Sequence, residues 1–164
     1  MTIEIGDKVP SVSLMRFADG EFSQIKTDEF FAGRRILLFG IPGAFTPVCQ
    51  GNHLPGYLEK ASEFKAGGID ELACISVNDC FVMKAFGEAL HADGKIQMLA
   101  DADGQFTKAI GLAADASGFG LGTRSERYAM IVNDGTVESL SVEDKFVDHR
   151  VSSADEMLKA IRPS

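Results

Sequence analysis

Cys49 is the residue of this sequence that is best placed to do chemistry. It ends the stretch Pro42-Gly-Ala-Phe-Thr46-Pro47-Val-Cys49, which lies between an apolar strand pattern and the predicted start of a helix. Two prolines and a glycine make such a loop stiff, and a stiff loop fixes a reactive group better than it fills a core. A helix N-terminus can lower a thiol pKa from about 8.5 to below neutrality. We therefore interpret Cys49 as a nucleophilic thiolate.

Two polar side chains flank this cysteine in the sequence. Thr46 precedes Cys49 by three residues and can turn its hydroxyl toward the sulfur. His53 follows Cys49 by four residues, which is about one helical turn. We interpret His53 as a structural or supporting residue, because thiol chemistry has no step that requires it.

The other two cysteines are Cys74 and Cys80. Three cysteines form an odd and sparse set, unlike a disulfide framework, so we expect reduced thiols. Their spacing matches no common zinc pattern, and we expect neither a metal nor a cofactor. A dithiol oxidoreductase would need a cysteine at position 52, which is Asn52. Cys74 lies within an apolar segment and is expected to be buried, whereas Cys80 follows Asn78-Asp79 and is expected to be more exposed.

Alternating apolar segments predict the elements that position these residues. Strands are predicted where β-branched and aliphatic residues cluster, and helices where apolar residues recur every three or four positions. The predicted strands are 36–41, 72–77, 96–99, 128–132 and 137–142, and the predicted helices are 57–65, 81–90 and a last one opened by a capping box at 153–156. Alternating strands and helices followed by a hairpin predict a thioredoxin-like α/β fold, with a mixed sheet flanked by helices and an N-terminal β extension.

Length and charge limit the classes of function. We expect one domain over residues 1–164, because 164 residues suffice for a single core. A net charge of −8 argues against nucleic acid or an anionic membrane as partner. The apolar run 36–42 is too short to cross a bilayer, and the first residues resemble neither a signal nor a transit segment. The expected location is therefore cytoplasmic.

The residues around Cys49 carry a family resemblance. Pro42-x3-Thr46-x2-Cys49 resembles the active-site signature of peroxiredoxins, and the longer run through His53-Leu-Pro-Gly-Tyr57 resembles their type II, or fifth-class, members. The resemblance continues through the segments 74–79, 99–101 and 127–132 and the glycine-rich loop, so it covers nearly the whole chain. Val48 and Gln50 depart from the usual Thr and Ser, which could alter substrate or partner preference.

The resemblance implies a thiol-dependent peroxidase that reduces hydrogen peroxide and organic hydroperoxides. Cys49 would attack the peroxide and become a sulfenic acid, Thr46 would supply a hydroxyl donor, and Pro42 would cap the pocket. Arg127 would supply a positive charge that ionises the thiol and polarises the peroxide. Arg124 competes for that role, but Arg127 directly precedes the aromatic residue that opens the strand, as in the family motif.

The second half of the reaction stays open at this point. Cys74 matches the family's proposed resolving cysteine, and Cys80 is a weaker alternative. Otherwise glutathione, glutaredoxin or thioredoxin reduces Cys49 directly. The resemblance also implies a homodimer formed through the active-site loops. The alternative function is a redox sensor in which reversible oxidation of Cys49 is the signal.

Overall fold

Nine strands and six helices make up the regular structure of the residues that the computed structural model describes, which are 2–47, 51, 53–92, 94–145 and 148–161. The strands are β1 (Ser13–Ala18), β2 (Glu21–Lys26), β3 (Arg35–Ile41), β4 (Glu71–Ser76), β5 (Gln97–Ala100), β6 (Ala113–Asp115), β7 (Thr123–Ser125), β8 (Tyr128–Asn133) and β9 (Thr136–Val142). The helices are α1 (Thr27–Phe31), α2 (Leu54–Glu59), α3 (Ala61–Ala66), α4 (Cys80–Ala89), α5 (Gln105–Ala109) and α6 (Ala154–Ile161).

Seven of these strands form one mixed sheet in the order β2-β1-β5-β4-β3-β8-β9. The central pairs β3–β4 and β4–β5 are parallel, and the remaining neighbours are antiparallel. Helical crossovers join the parallel strands, as parallel pairing requires. The predicted fold class, a mixed sheet flanked by helices, is confirmed.

The N-terminal β extension is a hairpin at one edge of the sheet. β1 and β2 pair antiparallel, and β1 also contacts β5. The turn between them has Asp19 at φ 54° and Gly20 at φ 77°. Two successive positive φ angles are typical of the tight turn that matches strand twist, and Asp-Gly tolerates them. The late hairpin uses the same device at Asp134 and Gly135, with φ angles of 48° and 80°.

Two helices differ from the sequence-based prediction. The predicted helix 57–65 is two short helices, because Lys60 departs from helical geometry at φ −97° and ψ 8°. The apolar spacing predicts Val82, Ala85, Phe86 and Ala89 as the buried face of α4. Phe86 is buried as predicted, but its buried neighbours on the helix are Cys80 and Met83. One of the two bonds of the predicted capping box before α6 is present, since the Glu156 N–H donates to the Ser153 hydroxyl at 3.3 Å.

The glycine-rich segment 113–122, which the sequence predicts to be a loop, contains regular structure. β6 and β7 pair antiparallel and enclose a single 3-10 turn, Ser117–Phe119. None of the helices within the described residues is long and apolar enough to span a membrane.

The sheet separates two apolar clusters, which we call the α4 face and the α5 face. The α4 face packs Leu37, Phe39 and Ile41 of β3 against α2, α3, α4 and α6. The α5 face packs Ile36 and Leu38 of the same strand against α1 and α5. Successive residues of a strand point to opposite faces, so β3 contributes to both clusters.

Candidate active site

The stiff loop of the sequence signature begins where β3 ends. Pro42 and Gly43 are buried there, whereas Phe45 and Pro47 are exposed. Cys49 lies outside the described residues, together with its neighbours 48, 50 and 52. The structure therefore describes the two flanks of the candidate site, which are the loop up to Pro47 on one side and the segment that starts at His53 on the other.

Thr46 uses its hydroxyl proton within the loop. Its Oγ1 donates to the carbonyl of Gly43 at 2.8 Å. A hydroxyl has one proton and two lone pairs, so in this arrangement Oγ1 can only accept from another group. The expected role as a donor would therefore require the hydroxyl to leave Gly43, whereas accepting a hydrogen bond from a peroxide O–H would not.

The loop contains a strained residue, and a ring contact and the side-chain amide of Asn78 hold it in place. Phe45 has a φ of 66°, which is unfavourable for a bulky residue and is typical of functional sites. Its ring contacts that of Phe86 edge-on, with centroids 5.0 Å apart. Asn78 Oδ1 accepts from the Ala44 N–H at 3.1 Å and from the Ser76 hydroxyl at 2.6 Å. The loop is thereby tied to the end of β4 and to α4.

Arg127 lies inside the protein at the start of β8 rather than on its surface. The residue is 2% exposed, and its Nη1 donates to His53 Nδ1 at 2.9 Å. The alternative candidate, Arg124, is engaged elsewhere: it donates to the carbonyls of Val77 (2.8 Å) and Leu121 (2.9 Å). These bonds tie the β6–β7 hairpin to the end of β4. The structure thus brings Arg127 to the segment that follows Cys49.

His53 is fully buried beside Arg127, in accord with a supporting position. Its ring packs against Phe39 and Tyr57, and its Nε2 donates to the Ser152 carbonyl at 3.2 Å. Burial, reinforced by the charges of Arg127 and His149, lowers the pKa of His53 well below its ordinary 6.5, although the bond to Ser152 opposes the shift. His53 is therefore neutral near pH 7.

Sequence reasoning missed the residues that complete this cluster. The carbonyl of Ser152, which precedes α6, accepts a hydrogen bond from the Tyr57 hydroxyl at 2.5 Å as well as the one from His53 Nε2. Glu143, after β9, accepts from the Ser152 N–H at 2.8 Å and from its hydroxyl at 2.6 Å. Burial raises the pKa of Glu143, but the bonds from Ser152, Arg150 and Val151 outweigh it and leave the pKa below the ordinary value. No local motif marks these residues, because their partners are distant in sequence.

The two remaining cysteines are both buried in the α4 face. Cys74 lies in β4 between Phe39 and Met98 of the neighbouring strands, as predicted from its apolar segment. Cys80 is the more exposed of the two thiols, as predicted, but at 7% against 0% for Cys74 it is still buried. As the first residue of α4 it shares a face with Met83, and that face packs into the core. Within the described residues, no group of three or more His, Cys, Asp or Glu could hold a metal ion.

Comparisons with known proteins agree on one family. The family model described as Redoxin matches residues 4–158. The chain is 47% identical to "Peroxiredoxin-2E-2, chloroplastic" of Oryza sativa subsp. japonica, over 98% of this chain and 73% of that protein. It is 42% identical to "Peroxiredoxin-2B" of Arabidopsis thaliana, over 97% of this chain and 98% of that protein. The crystal structure of reduced Prx3 in complex with H2O2 from Vibrio vulnificus superposes with a TM-score of 0.94 at 46% identity, over 98% of this chain and all of that one.

Proposed function

The chain belongs to the peroxiredoxins of the Redoxin family and is a thiol-dependent peroxidase, and on that premise we propose that Cys49 is the sulfur that attacks the peroxide. The observation that supports this assignment is the buried Arg127, whose guanidinium bonds to His53, four residues after Cys49. A fully buried arginine indicates a specific role, since charged side chains are almost never fully buried unless paired. A permanent charge next to the Cys49 segment favours a thiolate there.

The proposed reaction balances as a two-electron reduction. The Cys49 thiolate attacks the terminal peroxide oxygen, the O–O bond breaks, and the departing alkoxide or hydroxide takes a proton to leave as alcohol or water. Cys49 becomes a sulfenic acid. One thiol then condenses with it, releasing water and forming a disulfide, and a second thiol reduces that disulfide to restore Cys49.

Each flanking residue has a proposed part in the peroxide step. Arg127 holds Cys49 ionised and stabilises the negative charge that develops as the O–O bond lengthens. Thr46, whose hydroxyl donates a hydrogen bond to the Gly43 carbonyl, accepts a hydrogen bond from the peroxide O–H and aligns the peroxide. Pro42 closes the pocket against water from its buried position at the end of β3.

We propose an external thiol as the reductant, namely glutathione with glutaredoxin, or thioredoxin. The burial of both Cys74 and Cys80 supports this, because a disulfide needs Cα atoms within about 7 Å and a buried thiol would require local unfolding. Cys74 remains the first candidate for an internal disulfide. Mass spectrometry after one equivalent of peroxide distinguishes the routes: a glutathione adduct on Cys49 supports the external route, and a Cys49–Cys74 linkage contradicts it.

Assembly and location are part of the same proposal. We propose that residues 1–164 act as one domain that forms a homodimer through its active-site loops. Phe45, 42% exposed, and Phe119, 67% exposed, are rings that such an interface would cover. Analytical ultracentrifugation tests the dimer. Regeneration by thiols requires a reducing compartment, and we propose the cytoplasm, which a fluorescent fusion can test.

Two variants test the proposed chemistry. Cys49→Ser should lose peroxide turnover, because an alcohol cannot replace the thiolate. Arg127→Met should lower the second-order rate with hydrogen peroxide about a hundredfold, even at a pH where Cys49 is fully ionised. Alkylation by iodoacetamide needs only a thiolate, so it should recover at that pH. A Cys49→Ser protein that still turns over peroxide, with its folding verified by circular dichroism, would contradict the assignment.

The redox sensor remains the second candidate function. A sensor needs to oxidise only once, whereas a peroxidase must cycle. Steady-state peroxide consumption with excess glutathione and glutaredoxin or thioredoxin separates the two, and stoichiometric consumption that stops after one equivalent would favour the sensor.

A further inference from the structure

A closed chain of hydrogen bonds starts and ends at Arg127. The Glu143 N–H donates to the Arg127 carbonyl at 2.9 Å, and the Glu143 carboxylate accepts from the N–H and hydroxyl of Ser152 at 2.8 and 2.6 Å. The Ser152 carbonyl accepts from His53 Nε2 at 3.2 Å, and His53 Nδ1 meets the Arg127 guanidinium at 2.9 Å. We call these four residues the Arg127 circuit.

The partners in the circuit determine which nitrogen of His53 carries the proton. A guanidinium can only donate and a carbonyl can only accept. The proton of His53 is therefore on Nε2, facing Ser152, and Nδ1 presents its lone pair to Arg127. A ring in the other tautomer, or a doubly protonated ring, would set two donors against each other at Arg127.

Glu143 is the part of the circuit that keeps the Ser152 carbonyl in place. Its Oε2 also accepts from the Arg150 N–H at 2.8 Å, and its Oε1 accepts from the Val151 N–H at 3.2 Å. One carboxylate thus holds the whole segment 150–152. Charge-assisted bonds of this kind are about twice as strong as neutral ones, so the carbonyl has little freedom to move.

We propose that Glu143 and His53 are positioning residues for peroxide reduction, in which Glu143 holds the Ser152 carbonyl, that carbonyl fixes the tautomer of His53, and His53 Nδ1 orients the Arg127 guanidinium. The inference rests on the proposed role of Arg127. It explains why a neutral imidazole lies against a cation in the interior. A displacement of about 1 Å in such a group can cost about a hundredfold in rate.

A matched pair of substitutions at His53 separates its two nitrogens. Asparagine places a carbonyl oxygen at the position of Nδ1, whereas glutamine places an amide nitrogen near Nε2. His53→Asn thus keeps the acceptor for Arg127, and His53→Gln keeps the donor to Ser152 instead. We expect His53→Gln to react with hydrogen peroxide at least about tenfold more slowly than His53→Asn, while iodoacetamide alkylates ionised Cys49 equally in both. Equal peroxide rates in the pair would overturn the proposal.

Tyr57→Phe is the control for the loss of a buried hydrogen bond. The Tyr57 hydroxyl donates to the same Ser152 carbonyl but lies outside the circuit. We expect Tyr57→Phe to lower the melting temperature while the peroxide rate changes less than about threefold. A loss of peroxide rate as large as that of His53→Gln would show that any weakening around Ser152 suffices, and would overturn the positioning role.

Nitrogen-15 NMR of the wild-type protein tests the tautomer without a substitution at His53. At pH 7 we expect His53 Nδ1 to be unprotonated, and in Glu143→Gln we expect mixed tautomers with a lower peroxide rate. A protonated Nδ1 in the wild type would overturn the proposal. Arg127→Met, measured in parallel, keeps the two hypotheses apart. If Arg127→Met reacts with peroxide at the wild-type rate, Arg127 has no role in the reaction. If Arg127→Met is slow but His53→Asn and His53→Gln react equally fast, Arg127 has its proposed role and the positioning by His53 and Glu143 is contradicted.

Discussion

The two faces of the sheet bury polar groups in different ways. On the α5 face, Asp101 accepts from the Phe106 N–H at 3.1 Å and from the N–H and hydroxyl of Thr107 at 2.8 and 2.7 Å, five and six residues ahead. On the α4 face, His53 meets Arg127 across 74 residues. The local bonds of Asp101 cap a helix, whereas the long-range bonds of Arg127 orient a charge. We infer that the α5 face supports stability and the α4 face supports chemistry.

The strongest test of this comparison is a substitution on the α5 face. An alanine Cβ at Gly40 would lie 2.1 Å from Tyr128 Cε1, so Gly40→Ala displaces the fully buried Tyr128 ring. We expect the free energy of unfolding to fall by about 3 kcal/mol, measured by urea denaturation. Gly118→Ala is the matched control, since nothing lies within 4 Å of its added Cβ. If Gly40→Ala and Gly118→Ala have the same free energy of unfolding, the close packing of β3 against Tyr128 does not stabilise the α5 face.

Asp101→Ala should lower the stability of the protein without changing its rate with peroxide. It leaves two backbone N–H groups at the start of α5 and the Thr107 hydroxyl without their acceptor. We expect a loss of about 2 kcal/mol in the free energy of unfolding. The second-order rate with peroxide, measured by stopped flow on the folded protein, should remain that of the wild type. A rate that falls as steeply as the stability would show that the two faces are not independent.

The smallest expected effect is a pH dependence that belongs to the α4 face. Burial and the charge of Arg127 lower the pKa of both His53 and His149, with Glu143 and Asp155 opposing the shift at His149. The unfolded chain therefore binds protons below pH 6.5 that the folded chain does not bind. The contribution of these two histidines to the free energy of unfolding is therefore fully present above pH 6.5 and is lost as the pH decreases below it. The fully buried His53 contributes at most about 1.4 kcal/mol per pH unit, and the partly exposed His149 contributes less because solvent screens it.

His53→Asn tests this dependence directly. The free energy of unfolding should fall less between pH 6.5 and 5.5 in this variant than in the wild type, since one of the two groups is gone. Glu143 titrates in a different range, because its pKa is lowered and its contribution is lost only below its ordinary 4.5. Identical pH profiles for the two proteins would mean that His53 takes up its proton in the folded state.

Local patterns in the sequence determined the elements and the identity of the candidate nucleophile. The strand 36–41, the Asp-Gly turns and the capping box depend on side chains close together in the chain, so their physics can be read locally. The stiff loop before Cys49 and the family resemblance depend on contiguous residues as well. The buried face of α4 was predicted only in part: Phe86 is buried as expected, but Cys80 and Met83 take the places of Val82 and Ala85 because the docking of the helix on the sheet decides its orientation.

The surroundings of the candidate site depend on how the chain packs in three dimensions. The sequence could equally place Arg127 on the surface, and neither Glu143 nor Ser152 carries a motif. Their contacts join β8, β9 and the segment before α6, and such contacts depend on strand register and helix packing, which no short stretch encodes. The burial of Cys80 has the same origin, because the side of α4 that meets the core is determined by the sheet beneath it. Features that depend on adjacent residues can be predicted from the sequence, whereas the orientation of a buried charge depends on residues that are close to it only in the folded protein.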